Sequence, residues 1–200
     1  PDASFTILGQ DLWDVVALRA MLGVVSPDLL HRFGSEVMVR DVVLSGFFSS
    51  LDLWALHERV TPALQARVDG ALDRLGIADL ARRPLLELSS GEARRALLAR
   101  ALVHDPLTLV FDEPGTSLDL PAQRALRQTL SRLAGQGLGL VLVTHDLGDI
   151  VPEVSRVVFM AKGQVAGDGA TSEMLTSERL SVLFGVPVEV SCRDGRWSAA

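Results

Sequence analysis

Apolar residues along this chain recur with two different spacings, and the alternation between them predicts an α/β fold. Leu107–Phe111 and Leu138–Val143 are continuous apolar runs, the pattern of parallel strands covered by helices on both faces. Between them, Ala122, Ala125, Leu126, Leu130 and Leu133 make a helical stripe through Pro121–Ala134. Nearer the start, Phe5–Leu8 and Leu22–Val25 read as two further core strands, separated by a helical stretch around Trp13–Met21. Residues 28–88 change character. Val42–Phe48, Pro62–Leu75 and Ile77–Ala81 are mostly helical patterns, broken by Ser49-Ser50 and by the stop at Arg82-Arg83-Pro84. Thr61 ahead of Pro62 supplies an N-cap and a first helical residue. Beyond residue 156 the pattern turns antiparallel: Val157–Ala161, a Lys162-Gly163 turn and Gln164–Ala166 form a hairpin, followed by a helix near Thr171–Phe184. Val188, Val190 and Cys192 then alternate ahead of Asp194-Gly195, a two-residue turn that would set Cys192 across from Trp197.

Composition narrows the classes. At 200 residues and 48% hydrophobic, the chain can bury one substantial core. Its net charge of −6, with the basic residues scattered, argues against a nucleic-acid partner, which calls for a basic stripe or patch. No stretch approaches the roughly 20 apolar residues that span a bilayer. Pro1-Asp2-Ala3-Ser4 offers no signal-peptide head, and the single cysteine, Cys192, leaves no internal disulfide and suits a reducing cytoplasm.

Three places carry candidate chemistry. The Leu107–Phe111 run ends in Asp112-Glu113-Pro114, and ligands gather at the carboxyl ends of strands in open parallel sheets. Asp112 could there hold Mg²⁺ and Glu113 orient a hydrolytic water; a solvated strand end is the alternative. The Leu138–Val143 run ends in Thr144-His145-Asp146, where His145 is either a cap or a group delivered to the same sheet edge as Glu113. Upstream, Leu88-Ser89-Ser90-Gly91-Glu92 opens the helix Ala93–Val103. Ser89 and Glu92 have capping-box spacing, a complete structural account by itself. The same helix start exposes backbone N–H groups to an anion, and the two readings are compatible.

Taken in order, Leu-Ser-Ser-Gly-Glu, Leu-Val-Phe-Asp-Glu-Pro, Thr116-Ser117-Leu118-Asp119 and Leu-Val-Thr-His-Asp resemble the signature motif, Walker B strand, D-loop and switch histidine of the ATP-binding cassette (ABC) family. The resemblance runs over essentially the whole chain. Val39–Trp54 and Leu183-Phe184-Gly185-Val186-Pro187 are similar to ATPases of molybdate- and iron-complex-type transporters. It implies a P-loop NTPase-like cassette with a mainly parallel core sheet: residues 1–186 form the cassette domain, with an inserted helical region at 28–88, and residues 187–200 a C-terminal hairpin extension. The implied function is the ATP-binding and ATP-hydrolysing subunit of a transporter, with ATP and Mg²⁺ as cofactors. By resemblance Asp112 supports the metal, Glu113 is the general base or water-positioning carboxylate, and His145 contacts the γ-phosphate. Ser89, Ser90, Gly91 and Glu92 face a nucleotide held mainly by a second protomer in a head-to-tail dimer, and Asp119 lies in the loop crossing between protomers. A membrane permease is the implied further partner, with the chain peripheral at the cytoplasmic membrane.

Two departures stand against that pattern. A phosphate-binding loop needs Gly-x-x-x-x-Gly-Lys-Ser/Thr, whereas Lys162, in a turn, is the only lysine in these 200 residues. The expectation is that the segment bearing the loop precedes residue 1 and is missing from this chain, which alone would be inactive. Where the family usually has glutamine after the Val24-Val25 strand, this chain has Ser26-Pro27. The competing expectations are a degenerate cassette that dimerises without turnover, and a soluble cassette ATPase acting outside transport.

Overall fold

The computed structural model describes residues 14–48 and 60–200. The expected Phe5–Leu8 strand, and the breaks and contacts expected of Ser49-Ser50 through Trp54, lie outside the described residues. The chain divides into two compact units, Pro1–Asp112 and Glu113–Ala200.

In the first unit a short helix α1 (Val15–Met21) feeds strand β1 (Leu22–Val25), which pairs in parallel with β2 (Thr108–Asp112), Leu22 opposite Thr108 and Val25 opposite Phe111. Helix α4 (Ser90–Leu102) packs beside β1, and α2 (Val39–Ser45) and α3 (Pro62–Arg74) pack on α4 and on each other. Thr61 caps α3 as its sequence predicts, accepting the Leu64 N–H at 3.3 Å, with Pro62 as the first helical residue. The Arg82–Pro84 stop holds too. The Val39 N–H donates to Arg83 and the Leu85 N–H to Val37, so the chain entering α2 is laced to the chain leading towards α4.

Helix α4 is the centre of this unit. It is buried on nearly every side, through Ala93, Ala96, Leu97, Leu98, Ala99, Ala101 and Leu102, and so shows no polar face. Its alanines let neighbours come close, and α2 lies against it with Ser45 fully buried. The buried hydroxyl is satisfied twice: it accepts from Arg100 Nε at 2.9 Å and donates to the Val42 carbonyl at 2.6 Å.

The second unit holds α5 (Leu120–Gly135), β3 (Gly139–Val143), the hairpin β4 (Arg156–Ala161) and β5 (Gln164–Ala170), helices α6 (Thr171–Met174) and α7 (Ser177–Phe184), and a final hairpin β6 (Val190–Arg193) and β7 (Arg196–Ala199). Helix α5 buries Leu126, Leu130 and Leu133, while Ala125 is exposed: the apolar stripe is narrower than the sequence suggests. The closing hairpin follows the sequence reading, with Cys192 opposite Trp197.

Two expectations need correction. The single helix over Thr171–Phe184 is two helices. Leu175 leaves helical geometry, and Thr176 caps a fresh start by accepting the Arg179 N–H. A threonine hydroxyl that competes for backbone donors ends one helix as readily as it begins another. Nor is β3 covered on both faces, since Val141 and Val143 are 47% and 53% exposed. An apolar run records that both faces suit burial, not what covers them. Among the described residues no helix is long and apolar enough to cross a membrane.

Candidate functional site

The last residue of β2 is Asp112, half-buried, and the chain changes direction at the next residue. Glu113 adopts φ +45°, in the left-handed region that a non-glycine residue enters at a cost of roughly 1–3 kcal/mol. Its own N–H donates to the Val143 carbonyl at 2.7 Å, fastening the turn to the end of β3. The turn aims the carboxylate at two partners. Thr116 Oγ1 donates to Oε2 at 2.8 Å, and His145 Nδ1 lies 3.2 Å from Oε1. The Thr116 hydroxyl, helped by charge on His145, holds the Glu113 carboxyl below the ordinary carboxylate range against a smaller opposing effect of burial. The outcome is an ionised carboxylate with one oxygen anchored and the other facing an imidazole. The sequence reading that joins Glu113 to His145 therefore matches the geometry.

Both side chains remain open to solvent, His145 at 74% and Glu113 at 40%, so a water or a phosphate oxygen can reach either. Such a pair can accept a proton from water or orient it, which is the chemistry a hydrolytic site needs. Past Glu113, the loop runs through Ser117, also left-handed at φ +64°, to Asp119. Asp119 is exposed and caps α5, accepting the Ala122 N–H at 2.8 Å, while Gln123 donates to the Gly115 and Leu118 carbonyls. Its observed contact is thus a structural one, with one carboxylate oxygen still free to accept from elsewhere.

In the first unit, Ser89 caps α4 with both halves of the capping box formed. The Ser89 N–H donates to Glu92 Oε2 at 2.9 Å and its hydroxyl to the same oxygen at 2.7 Å, while the Glu92 N–H returns to Ser89 Oγ at 3.4 Å. Ser89 and Ser90 are exposed and Gly91 partly so, leaving a well-formed helix start open to an anion. The bonds from Ser89 hold the Glu92 carboxyl below the usual range, aided by Arg83 and Arg95. A depressed carboxyl contributes stability above its unfolded value of about 4.3, lost as pH falls through its folded value. Thermal melts of the chain between pH 7 and pH 3 should therefore lose part of their pH dependence in Glu92→Gln. An unchanged profile would show that the cap contributes nothing through its charge.

Ser26 precedes the 3₁₀ turn Pro27–Arg32 as its N-cap and makes no side-chain capping bond there. Sequence reasoning missed two residues. Thr116 stands out only as part of a loop motif, and its bond to Glu113 depends on a backbone turn that no periodicity reveals. Asp149 is a charged residue with 5% exposure, five positions beyond Thr144, and nothing in its spacing marks it as buried. For a metal, no group of three or more His, Cys, Asp or Glu side chains converges among the described residues. Mg²⁺ needs no such cage, being held by one or two carboxylates together with water and substrate phosphates, and Asp112 at a strand end fits that donor set.

Comparison with known proteins shows the family. The ABC transporter family model matches residues 4–116. The chain is 34% identical to the uncharacterized ABC transporter ATP-binding protein YlmA of Bacillus subtilis (strain 168), over 90% of the chain and 67% of that protein. It is 38% identical to the hemin import ATP-binding protein HmuV of Bradyrhizobium diazoefficiens, over 64% of the chain and 51% of that protein. The chain thus spans between half and two thirds of the length of these relatives. Its structure resembles an inward-facing metal-chelate type ABC transporter with a TM-score of 0.74 and 27% identity, covering 90% of this chain and 70% of that one.

Proposed function

The chain belongs to the ABC transporter family and has the ABC ATPase fold, and from that premise we propose that it is the greater part of an ATP-hydrolysing subunit energising import of a metal chelate or metal complex. The observation that carries the hydrolytic reading is the Glu113–His145 pair at 3.2 Å, with Thr116 anchoring the second carboxylate oxygen. Cargo class is supported by the hemin-import relative and the metal-chelate structural neighbour.

In this reading Glu113 accepts the proton of the attacking water, and its low-lying carboxyl keeps it ionised and ready at neutral pH. His145 presents an imidazole N–H towards the γ-phosphate oxygen as charge moves onto it. Asp112 would hold Mg²⁺, which when bound neutralises phosphate charge. Ser90 and Gly91 offer donors at the start of α4, while Ser89, whose N–H and hydroxyl both donate to Glu92 in this structure, would turn its hydroxyl to the nucleotide when one is bound, with Glu92 fixing that start through the capping box. Asp119, in the loop between Glu113 and α5, would meet the second cassette of a head-to-tail pair. The helical region 28–88 would dock on the membrane permease, placing the subunit at the cytoplasmic face. The phosphate-binding loop and its lysine are needed as well, and residues 1–200 contain no such motif.

Because the signature helix start acts on a nucleotide whose phosphates are cradled by another chain, it can be tested in trans. The chain is mixed with a cassette of the same family that keeps its phosphate loop but has its signature serine and glycine disabled. ATP turnover should recover in part, and Gly91→Asp in this chain should abolish the recovery, since a carboxylate there repels phosphate. Recovery that Gly91→Asp leaves untouched would sink the proposal, as would a folded chain giving none. ATP binding by the mixture without any turnover would favour an assembly module instead.

A further inference from the structure

Asp149 touches the segments on either side of the Glu113–His145 pair, at Gly115 and Thr144, and has no part in the chemistry so far described. It closes the 3₁₀ turn Leu147–Asp149 and is 5% exposed. A carboxylate removed from water to that degree is costly unless each oxygen is bonded, and an apolar residue would fill the space more cheaply. Burial pushes its carboxyl above the ordinary range, with the nearby Asp146 acting the same way and Arg127, whose guanidinium is spent on the Gly148 carbonyl, opposing weakly. Asp149 has no salt-bridge partner within bonding distance among the described residues.

What it has is contact with two different segments. Thr144 Oγ1 donates to Oδ2 at 2.6 Å, and the Gly115 backbone lies close against the same carboxylate. Thr144 directly precedes His145, and Gly115 lies two residues after Glu113. Gly115 is itself fitted to the contact: a Cβ there would collide with Asp149 Oδ1. The segment bearing the carboxylate and the segment bearing the imidazole are thus tied to one buried group.

We propose that Asp149 is a positioning residue that bridges the Glu113 turn to the His145 segment through Gly115 and Thr144 and so sets the separation of the hydrolytic pair. Its catalytic consequence rests on the roles proposed for Glu113 and His145; its structural consequence does not, and the two are measured separately. Loss of one anchor lets the two segments drift, and misplacement by about 1 Å costs on the order of 10²-fold in rate.

The test uses the full chain without nucleotide, labelled uniformly with ¹⁵N, with the His145 ring resonances assigned by their loss in His145→Gln. Glu113→Gln gives the ring signature of an imidazole that has lost its carboxylate. Asp149→Leu should move the His145 ring nitrogens towards that signature and speed exchange of the Gly115 amide by at least about tenfold, while amides buried in α4 keep their protection. Thr144→Val, which removes one donor and keeps the carboxylate, should move the ring resonances the same way by less, and it carries the test if Asp149→Leu fails to fold. In a polypeptide that carries a phosphate-binding loop ahead of Pro1, so that its own Glu113 and His145 act on the nucleotide, Asp149→Asn should lower kcat with little change in KM for ATP. A folded Asp149→Leu or Thr144→Val chain whose His145 resonances stay at the wild-type position overturns the proposal. Moved resonances with unchanged kcat would uphold the bridge and overturn the hydrolytic roles of the pair instead.

Discussion

In a polypeptide that carries a phosphate-binding loop ahead of Pro1, Glu113→Gln should lower ATP turnover by roughly 10²–10⁴-fold, the range for loss of a general base, while nucleotide affinity changes only a few-fold. The amide keeps the shape of the carboxylate, and its oxygen can still accept the Thr116 hydroxyl that now lies 2.8 Å from Oε2. What it cannot do is take a proton or attract a positively charged imidazole across the 3.2 Å to His145. The loss should therefore fall on kcat, and calorimetry with Mg-ATP beside steady-state kinetics separates the two quantities. Equal losses in affinity and rate would mean that Glu113 serves only to shape the turn. A further control lies in the backbone. Glu113 sits at φ +45°, so Glu113→Gly should keep or ease the turn while removing the carboxylate altogether. If Glu113→Gly loses as much turnover as Glu113→Gln, the rate belongs to the charge rather than to the conformation.

The two strand ends that carry this chemistry were legible because continuous apolar runs that stop at charged residues leave few other readings. The start of α4 was legible for a different reason: Ser89 and Glu92 satisfy each other locally, within one turn, and local bonds are what spacing encodes. The bonds that fix the pair in place were not legible. Glu113 reaches Thr116 through a turn with positive φ, and Asp149 meets Thr144 and the Gly115 backbone, which lie on segments some thirty positions apart. Such contacts depend on where two loops meet, and a one-dimensional pattern holds no record of it. The same limit explains the split at Leu175-Thr176, where a stripe of helical spacing continues through a break in the backbone.

Gly46 shows the limit most sharply, and it carries the largest expected loss of stability. Its backbone is ordinary helical, φ −60° and ψ −34°, so nothing in the local conformation asks for glycine. Its requirement comes from across the interface: a Cβ there would collide with the Arg100 carbonyl of α4 and come within 2.7 Å of a Val103 methyl. The obstacle is backbone in the last turn of the most deeply buried helix, which cannot rotate aside as a side chain can. Gly46→Ala should therefore reach or exceed the roughly 1–3 kcal/mol usual for overpacking, read from denaturant melts followed by circular dichroism. Gly70→Ala is the matched control. It lies on the exposed face of α3 with nothing within 4 Å of a new Cβ, so the same change there should stabilise by about 0.5–1 kcal/mol through helix propensity alone. The opposite signs matter for function, because Ser89 caps the start of α4. If the chain survives Gly46→Ala by sliding α2 off α4, the bond from Arg100 Nε to Ser45 Oγ breaks first and the signature helix loses its support from that side. Rescue of turnover in trans should then fall along with stability, whereas Gly70→Ala should leave rescue intact. A Gly46→Ala chain as stable as the wild type would show that α2 and α4 can part without cost, and that the close approach is not what holds the signature helix in place.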